Sequence, residues 1–214
     1  LDPLWSINVT DGNCLINTSS NNVGELDFDM NELNQEIITP ICYTTVENSK
    51  NVIHWNEDVN NIKFYNIYRE NAQSEYELIG TVNYEDELEF IDESSVSSQQ
   101  SYKYILTGVD SCNLETAKQL NHQTIHLTSN LGVSGENNLS WNSYVGFEYE
   151  THEIFRSNND NSFELINQVS SNNFTYSDLN PPSGVNRYYI SVSQIEECGS
   201  SKSSLNSSSS NIIE

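Results

Sequence analysis

Residues 51–69, NVIHWNEDVNNIKFYNIYR, decide the fold of this chain. They predict a strand that ends in Trp, a short polar turn, and a second strand that ends in Ile-Tyr-Arg. The pattern recurs at residues 137–156, NNLSWNSYVGFEYETHEIFR. Landmarks recur at a step of 86 residues, and they are Trp55 and Trp141, Asp92 and Asp178, Tyr102 and Tyr188, and Cys112 and Cys198. A period of this length is typical of tandem small domains rather than of a solenoid.

Each copy of the repeat predicts about seven short strands separated by polar turns, with no helical period. This pattern is typical of an antiparallel sandwich. The predicted fold is therefore all-β, with two tandem immunoglobulin-like β-sandwiches, module one at residues 40–127 and module two at residues 128–214. Residues 1–39 do not match the repeat. We expect a short β or irregular segment there, either the tail of a preceding domain or a leader packed on module one.

The charge balance excludes two classes of partner. The chain has 31 acidic and 8 basic residues, a formal net charge of −23. Nucleic-acid binding needs clustered Lys and Arg, and an anionic membrane surface also attracts cations, so neither partner is expected. No apolar run reaches membrane-spanning length, so membrane insertion is not expected. The excess of acidic residues indicates either solubility in a salty medium or a cation-binding surface. Among the few basic residues, Arg69 and Arg156 are expected to be ordinary surface charges.

Three strand motifs resemble those of fibronectin type III domains. They are the Trp that ends the second strand, the Ile-Tyr-Arg or Ile-Phe-Arg of the third strand, and the Tyr-x-Tyr of the sixth strand. Finer motifs resemble the tandem fibronectin-like region of large secreted surface proteins of Bacteroidetes: residues 40–46 (PICYTTV), 52–55 (VIHW), 68–70 (YRE), 109–113 (VDSCN) and 210–213 (SNII). The resemblance covers residues 40–214. It implies a secreted or cell-surface location, ahead of a C-terminal sorting domain for type IX or gliding-associated secretion, and it implies no chemistry.

In the fibronectin fold, the first strand begins at the same pole as the loop between strands six and seven. Cys42 and Cys112 occupy those positions, so the resemblance implies a structural disulfide between them, the alternative being two separate thiols. Such a bridge would contribute on the order of 4 kcal/mol in the chain-entropy model. Cys198 is expected to be free or to pair with Cys14. No two cysteines stand at zinc-ligand spacing, so no zinc site is expected.

No catalytic residue is apparent, and the chain is not expected to be an enzyme. His122 and His126 have the spacing of a zinc protease, but Gln123 stands where the catalytic Glu is needed and the segment predicts a strand. Ser134 lacks the second glycine of a nucleophile elbow. His152 takes the place of a core tyrosine in the repeat, and is interpreted as a core or rim histidine rather than a metal ligand.

Two acidic segments bear on calcium. Residues 27–31 resemble the start of a calcium loop, but Glu32 stands where the sharp turn needs Gly, and Ile38 where a bidentate Glu is needed. The acidic run at residues 85–93 favours a solvated strand edge, with adventitious Ca²⁺ as the weaker alternative. No other cofactor is expected.

Seven aromatic residues divide into two groups. Those that follow alternating apolar residues in both repeats are predicted core anchors: Trp55, Trp141, Tyr102 and Tyr188. Those in or beside the turn after the second Trp are candidates for a ligand-binding loop, or else pack across the turn: Tyr144, Phe147 and Tyr149.

Three functions fit these observations. The first is a non-catalytic spacer or display region of a secreted or cell-surface bacterial protein. The second is an adhesin module that binds a glycan or a protein through its loop poles. The third is a set of accessory domains of a polysaccharide-degrading enzyme whose catalytic domain lies outside this chain. An extracellular glycan or protein is the expected class of partner, and the chain is expected to be a monomeric fragment of a larger multidomain protein.

Overall fold

The computed structural model describes residues 41–56, 62–111, 113–118, 120–159, 162–195, 198 and 207–214. All the regular elements in these ranges are β-strands. Three predictions lie outside the described residues: the fold of residues 1–39, the calcium-like segment at residues 27–31, and the partner of Cys14.

Module one comprises seven strands in two antiparallel sheets, one ordered β1-β2-β5 and the other β4-β3-β6-β7. The first and sixth strands are buried on both faces over most of their length, whereas the fourth strand is largely exposed. The strands are β1 (Ile41–Glu47), β2 (Lys50–Trp55), β3 (Ile62–Glu70), β4 (Tyr76–Asn83), β5 (Glu89–Asp92), β6 (Lys103–Asp110) and β7 (His122–Gln123).

Module two repeats this arrangement, with a sheet ordered β12-β9-β8 and a sheet ordered β11-β10-β13-β14. In both modules the fourth strand pairs with the third, whereas in a constant-type immunoglobulin domain it joins the first, second and fifth strands. The predicted fold class, two tandem fibronectin type III-like sandwiches, is therefore confirmed. The strands are β8 (Leu127–Leu131), β9 (Asn137–Trp141), β10 (Thr151–Asn158), β11 (Glu164–Ser170), β12 (Thr175–Asp178), β13 (Asn186–Ser193) and β14 (Ser207–Ser209).

Each core is built around a Trp at the end of the second strand. In module one the ring of Trp55 meets the ring of Tyr65 edge-on, with centroids 5.4 Å apart. In module two Trp141 meets His152 in the same way, also at 5.4 Å. Both tryptophans, as well as Tyr65 and His152, are buried. A histidine therefore fills the core position that a tyrosine fills in the other module.

Three residues link the two modules, since β7 ends at Gln123 and β8 begins at Leu127. Within and just after this link, Ile125 and Leu127 are buried in the core of module two. The predicted boundary after residue 127 placed both residues in module one, although the first strand of module two was expected near Ile125–Leu131. So short a link leaves little room for the modules to separate.

Candidate functional site

The candidate functional site is the junction between the modules. A polar network inside each module positions the strands that form this junction. In module one the Arg69 guanidinium lies 2.7 Å from the buried Asp92 carboxylate. Tyr104 donates its hydroxyl hydrogen to Asp92 at 2.8 Å, and Asn51 donates to the Tyr104 oxygen at 2.9 Å. The network joins the third and sixth strands of one sheet to the second and fifth strands of the other.

The same network closes module two. Arg156 lies 2.8 Å from Asp178, Tyr188 donates to Asp178 at 2.9 Å, and Asn137 donates to Tyr188 at 2.9 Å. The prediction that both arginines are ordinary surface charges is wrong, because each pairs with a buried carboxylate on the fifth strand. The recurrence of Asp92 as Asp178 was the signal in the sequence that could have revealed this network.

The structural counterpart of Tyr188 is Tyr104 rather than Tyr102, which the 86-residue step had suggested. Tyr188 stands opposite Arg156 in its sheet, and Tyr104 stands opposite Arg69. Tyr102 is only partly buried at the edge of the core, and its hydroxyl oxygen accepts a hydrogen bond from the Val96 amide at 3.1 Å. It therefore ties the turn before β6 to the sheet, while Tyr104 fills the core position.

The network alters the acidity of its members. Burial opposes ionisation of Asp92, but hydrogen bonds from Ser94, Tyr104 and Arg69, together with the Arg69 charge, hold the pKa of Asp92 below its ordinary value. Burial raises the pKa of Tyr188 to about 12, and its hydrogen bond to Asp178 contributes to the rise. A salt-bridged carboxylate and a neutral tyrosine form a structural arrangement, and no group in it is poised as a general acid or base near neutral pH.

Cys42 forms a disulfide with Cys198, with Cα atoms 5.5 Å apart and a sequence separation of 156. The predicted bridge between Cys42 and Cys112 is therefore wrong, since a sulfur atom takes one disulfide partner. The physical reason is the position of β1, an edge strand that faces module two. Cys198 lies in the connection between β13 and β14, so the bridge crosses from one module to the other.

Hydrogen bonds extend this covalent link along two facing edge strands, β1 of module one and β14 of module two. The Ser208 hydroxyl donates to the Thr44 carbonyl at 2.6 Å, and the Ser209 amide donates to the Thr45 hydroxyl oxygen at 3.0 Å. Thr44, Thr45 and Ser208 are all buried. Each module thus covers a strand edge of the other, which would otherwise expose unpaired backbone groups.

Tyr144 is the aromatic anchor of the junction. Its side chain is only 3% exposed, and its hydroxyl oxygen accepts a hydrogen bond from the Thr44 amide at 3.1 Å. The same hydroxyl lies 2.9 Å from Nδ1 of His122. Phe147 and Tyr149 are partly buried, and their rings lie 4.3 Å and 6.4 Å from the Tyr144 ring. The expectation of an exposed ligand loop is wrong for Tyr144, because its ring packs in the core of module two and its hydroxyl bonds to module one.

His122 is held at the centre of the junction. A Cβ on Gly146 would come within 2.2 Å of Nδ1 of His122, and Gly146 has a φ of +148°, so only glycine fits. The backbones also pair, since the Gln123 amide donates to the Val145 carbonyl at 2.7 Å. Burial lowers the pKa of His122 to about 4, which keeps the imidazole neutral at physiological pH.

The other histidines and Ser134 do not assemble into a catalytic or metal site. Nε2 of His126 lies 3.2 Å from the Ser98 carbonyl, away from His122, and the Ser134 amide bonds to Glu136 within a turn. His152 packs in the core. Among the described residues, no group of three or more His, Cys, Asp or Glu side chains is arranged to hold a metal ion. The described part of the chain contains no helix with the length and apolar character needed to cross a membrane.

No family model matches the chain, and no curated protein matches it either. Among solved structures, the chain is similar to a two fibronectin type III domain segment from chicken tenascin, with 8% sequence identity over 82% of this chain and 94% of that chain. The TM-score of this match is 0.31, which is too low to support any argument. The fold assignment therefore rests on the strand order and register of the two modules.

Proposed function

We propose that this chain is a rigid, non-catalytic spacer or display region of a secreted or cell-surface bacterial protein. It holds a neighbouring domain at a set distance and angle from the cell surface. The motifs shared with Bacteroidetes surface proteins support export by type IX or gliding-associated secretion. The Cys42–Cys198 disulfide between the modules is the observation that carries the proposal.

A spacer transmits position only if its modules do not swing freely. Modules joined by a flexible linker move independently by default unless their interface is large. Here the three-residue link, the facing edge strands and the disulfide all act at the junction. In the chain-entropy model, a bridge that closes a loop of this length contributes on the order of 5 kcal/mol. These restraints favour one inter-module angle.

The rigidity can be tested by ¹⁵N relaxation and small-angle X-ray scattering on the oxidised chain. We expect one rotational correlation time for both modules and a single scattering envelope. The matched variant, Cys42→Ser with Cys198→Ser, should keep both folds but show two correlation times or a broader distribution of inter-module distances. Independent tumbling of the modules in the oxidised chain would refute the spacer proposal.

An extracellular location is a separate part of the proposal. Structural disulfides persist in oxidising compartments and are rare in the cytosol of mesophiles. A non-reducing peptide map of protein purified from its native host should contain a Cys42–Cys198 peptide. Alkylation of both thiols in freshly prepared native material would contradict secretion.

The alternative of an adhesin that binds through its loop poles loses its leading residue, because Tyr144 is buried against module one. Phe147 and Tyr149 pack beside it and leave little free aromatic surface there. A binding function therefore needs a different surface.

A further inference from the structure

The outer face of the larger sheet has matching positions in the two modules. In module one Asn66 stands opposite Thr107, and Tyr68 stands opposite Ile105. In module two Glu153 stands opposite Ser191, and Phe155 stands opposite Tyr189. Since Arg69 and Arg156 follow next along their strands, the two sets of four residues correspond one to one.

Module one covers this face with its own chain. The Glu115 carboxylate accepts hydrogen bonds from Asn66 at 3.0 Å, Tyr68 at 2.6 Å and Thr107 at 2.5 Å. The Lys118 ammonium lies 3.4 Å from the centroid of the Tyr68 ring. Residues 113–118 run beside β6, where the Thr116 amide donates to the Gly108 carbonyl and Glu115 bridges to Val109, so the side chains of Glu115 and Lys118 reach over the face. Tyr68 is left 8% exposed.

Module two presents the corresponding face partly open. The rings of Phe155 and Tyr189 stack in parallel, with centroids 4.7 Å apart and planes 5° apart, and both remain partly exposed. Phe163 meets the Tyr189 ring edge-on at 4.9 Å, and neighbouring Leu165 is 48% exposed. The face is thus aromatic and apolar along its centre.

The polar groups on the two faces have opposite character. Asn66 in module one donates a hydrogen bond to a carboxylate, whereas Glu153 at the same position carries a carboxylate itself. Glu153 accepts one hydrogen bond, from Gln168 at 3.0 Å. Glu153 stands opposite Ser191, two residues along the strand from Tyr189 and on the same face. Burial, and next the charge of Glu153, raise the pKa of Tyr189. A carboxylate next to exposed aromatic rings is complementary to a lysine or arginine side chain.

We propose that the face formed by Glu153, Phe155, Tyr189 and Leu165 binds an extended peptide segment that carries a lysine or arginine. The segment lies over β10 and β13, and its cationic side chain takes the place that the Glu115 side chain takes over β3 and β6. Its cationic group pairs with Glu153 and stacks on the aromatic rings. The partner is therefore a basic stretch of another protein, and it docks on a sheet face rather than at a loop pole.

The test is an NMR titration of the full-length, ¹⁵N-labelled chain with a capped hexapeptide that copies residues 113–118 with Glu115→Lys. Amide shifts should map to β10 and β13 and saturate with a Kd of about 1 mM, as suits one small contact. The control peptide, with Glu115→Gln and Lys118→Gln, should bind at least about threefold more weakly.

Two variants locate the contact. Glu153→Gln and Phe155→Leu should each weaken binding of the basic peptide roughly threefold, with free spectra that show an intact fold. Glu77→Gln, which removes the same charge from module one, should leave the affinity unchanged. The absence of shifts at β10 and β13, or equal affinity for the uncharged peptide, would overturn the proposal. Shifts at this face that grow with protein concentration alone would also overturn it, because they would assign the face to a second copy of the chain.

Discussion

In module one Glu115, between β6 and β7, bonds to Tyr68 of its own sheet, whereas in module two Cys198, between β13 and β14, bonds to Cys42 of the other module. Inside, the modules remain alike: both keep the Arg-Asp-Tyr-Asn network, and both pack a ring edge-on against a Trp.

The difference teaches which parts of a duplicated domain are free to change. A core side chain is surrounded by packed neighbours, so a change there costs several kcal/mol. A surface connection has few such neighbours, and lengthening or redirecting it costs little. Redirecting one connection turned two similar modules into a linked pair and left different faces covered in each.

The largest expected effect is on the shared interior. Trp55→Ala and Trp141→Ala should each lower the free energy of unfolding by about 3–5 kcal/mol, because each leaves a large cavity in a small core. Urea denaturation followed by circular dichroism measures the loss. Leu179→Ala, at a side chain that is 69% exposed, should change stability by less than about 0.5 kcal/mol. A loss of less than 1 kcal/mol for one tryptophan would show that the two cores are not equivalent.

Removal of the disulfide is expected to cause the second-largest loss of stability. Replacing Cys42 and Cys198 by Ser should cost about 2–4 kcal/mol, since it frees a loop of more than 150 residues in the unfolded chain. Calorimetry should resolve two transitions in the variant where the oxidised chain shows one. A single transition at an unchanged temperature would mean that the other junction contacts are sufficient.

Acid should weaken the junction. The folded pKa of His122 is about 4, below the value of about 6.5 in an unfolded chain, so the unfolded state binds the proton more readily. The contribution of His122 to the free energy of unfolding is therefore fully present above pH 6.5 and is lost as the pH falls towards 4. At pH 5 the loss amounts to about 2 kcal/mol. Thermal unfolding between pH 7 and 5 measures the loss, and His122→Asn should flatten the profile.

Burial also lowers the pKa of His152, so the pH dependence has a second source in module two. His152→Tyr, which copies Tyr65 of module one, should remove that part and leave the part due to His122. If His152→Tyr alone abolished the pH dependence, the junction would not be its main source.

Tyr144→Phe tests the anchor of the junction. The variant keeps the ring but leaves the buried Thr44 amide without its acceptor, which should cost roughly 1–2 kcal/mol. Tyr149→Phe is the matched control, because the Tyr149 hydroxyl bonds only to the exposed Ser143. Hydrogen exchange of the β1 amides should accelerate in the first variant and remain unchanged in the second.

The smallest effect concerns the two sheet faces. Glu115→Gln weakens three hydrogen bonds to a carboxylate and should cost roughly 1 kcal/mol in denaturant unfolding. Glu153→Gln, at the corresponding face of module two, should change stability much less, since Glu153 accepts one hydrogen bond on an exposed surface. Equal effects of the two changes would contradict the different coverage of these faces.

Much of the fold could be predicted from residues 51–69 and their repeat. The Trp that ends a strand, the Ile-Tyr-Arg strand and the alternation between them are local patterns, and each recurs in the second copy. Such patterns determine strand positions because a strand must bury one face whatever lies beyond it. The repeat also contained the Arg69–Asp92 pair, although charge spacing alone did not reveal that the arginine reaches a buried carboxylate.

The candidate site could not be predicted in the same way. Tyr144 looked like a loop aromatic because it follows a strand and precedes a turn, and only the position of module one shows that its hydroxyl is buried. The offset between Tyr102 and Tyr188 matched the repeat, but turn lengths differ between the modules, so register in the sheet and not spacing identifies Tyr104 as the counterpart.

The amino-acid sequence by itself determined the all-β class, the duplication and the tryptophan in each core, because these depend on short-range periodicity and burial. The tertiary structure alone decided that Cys42 pairs with Cys198, that Tyr144 anchors a junction, and that one sheet face is covered while the other stays partly open. The first two depend on how the two modules lie against each other, and the third depends on which side chains of a connection reach over its own sheet. Partners more than 100 residues apart, such as Thr44 with Ser208, leave no periodic trace in the sequence.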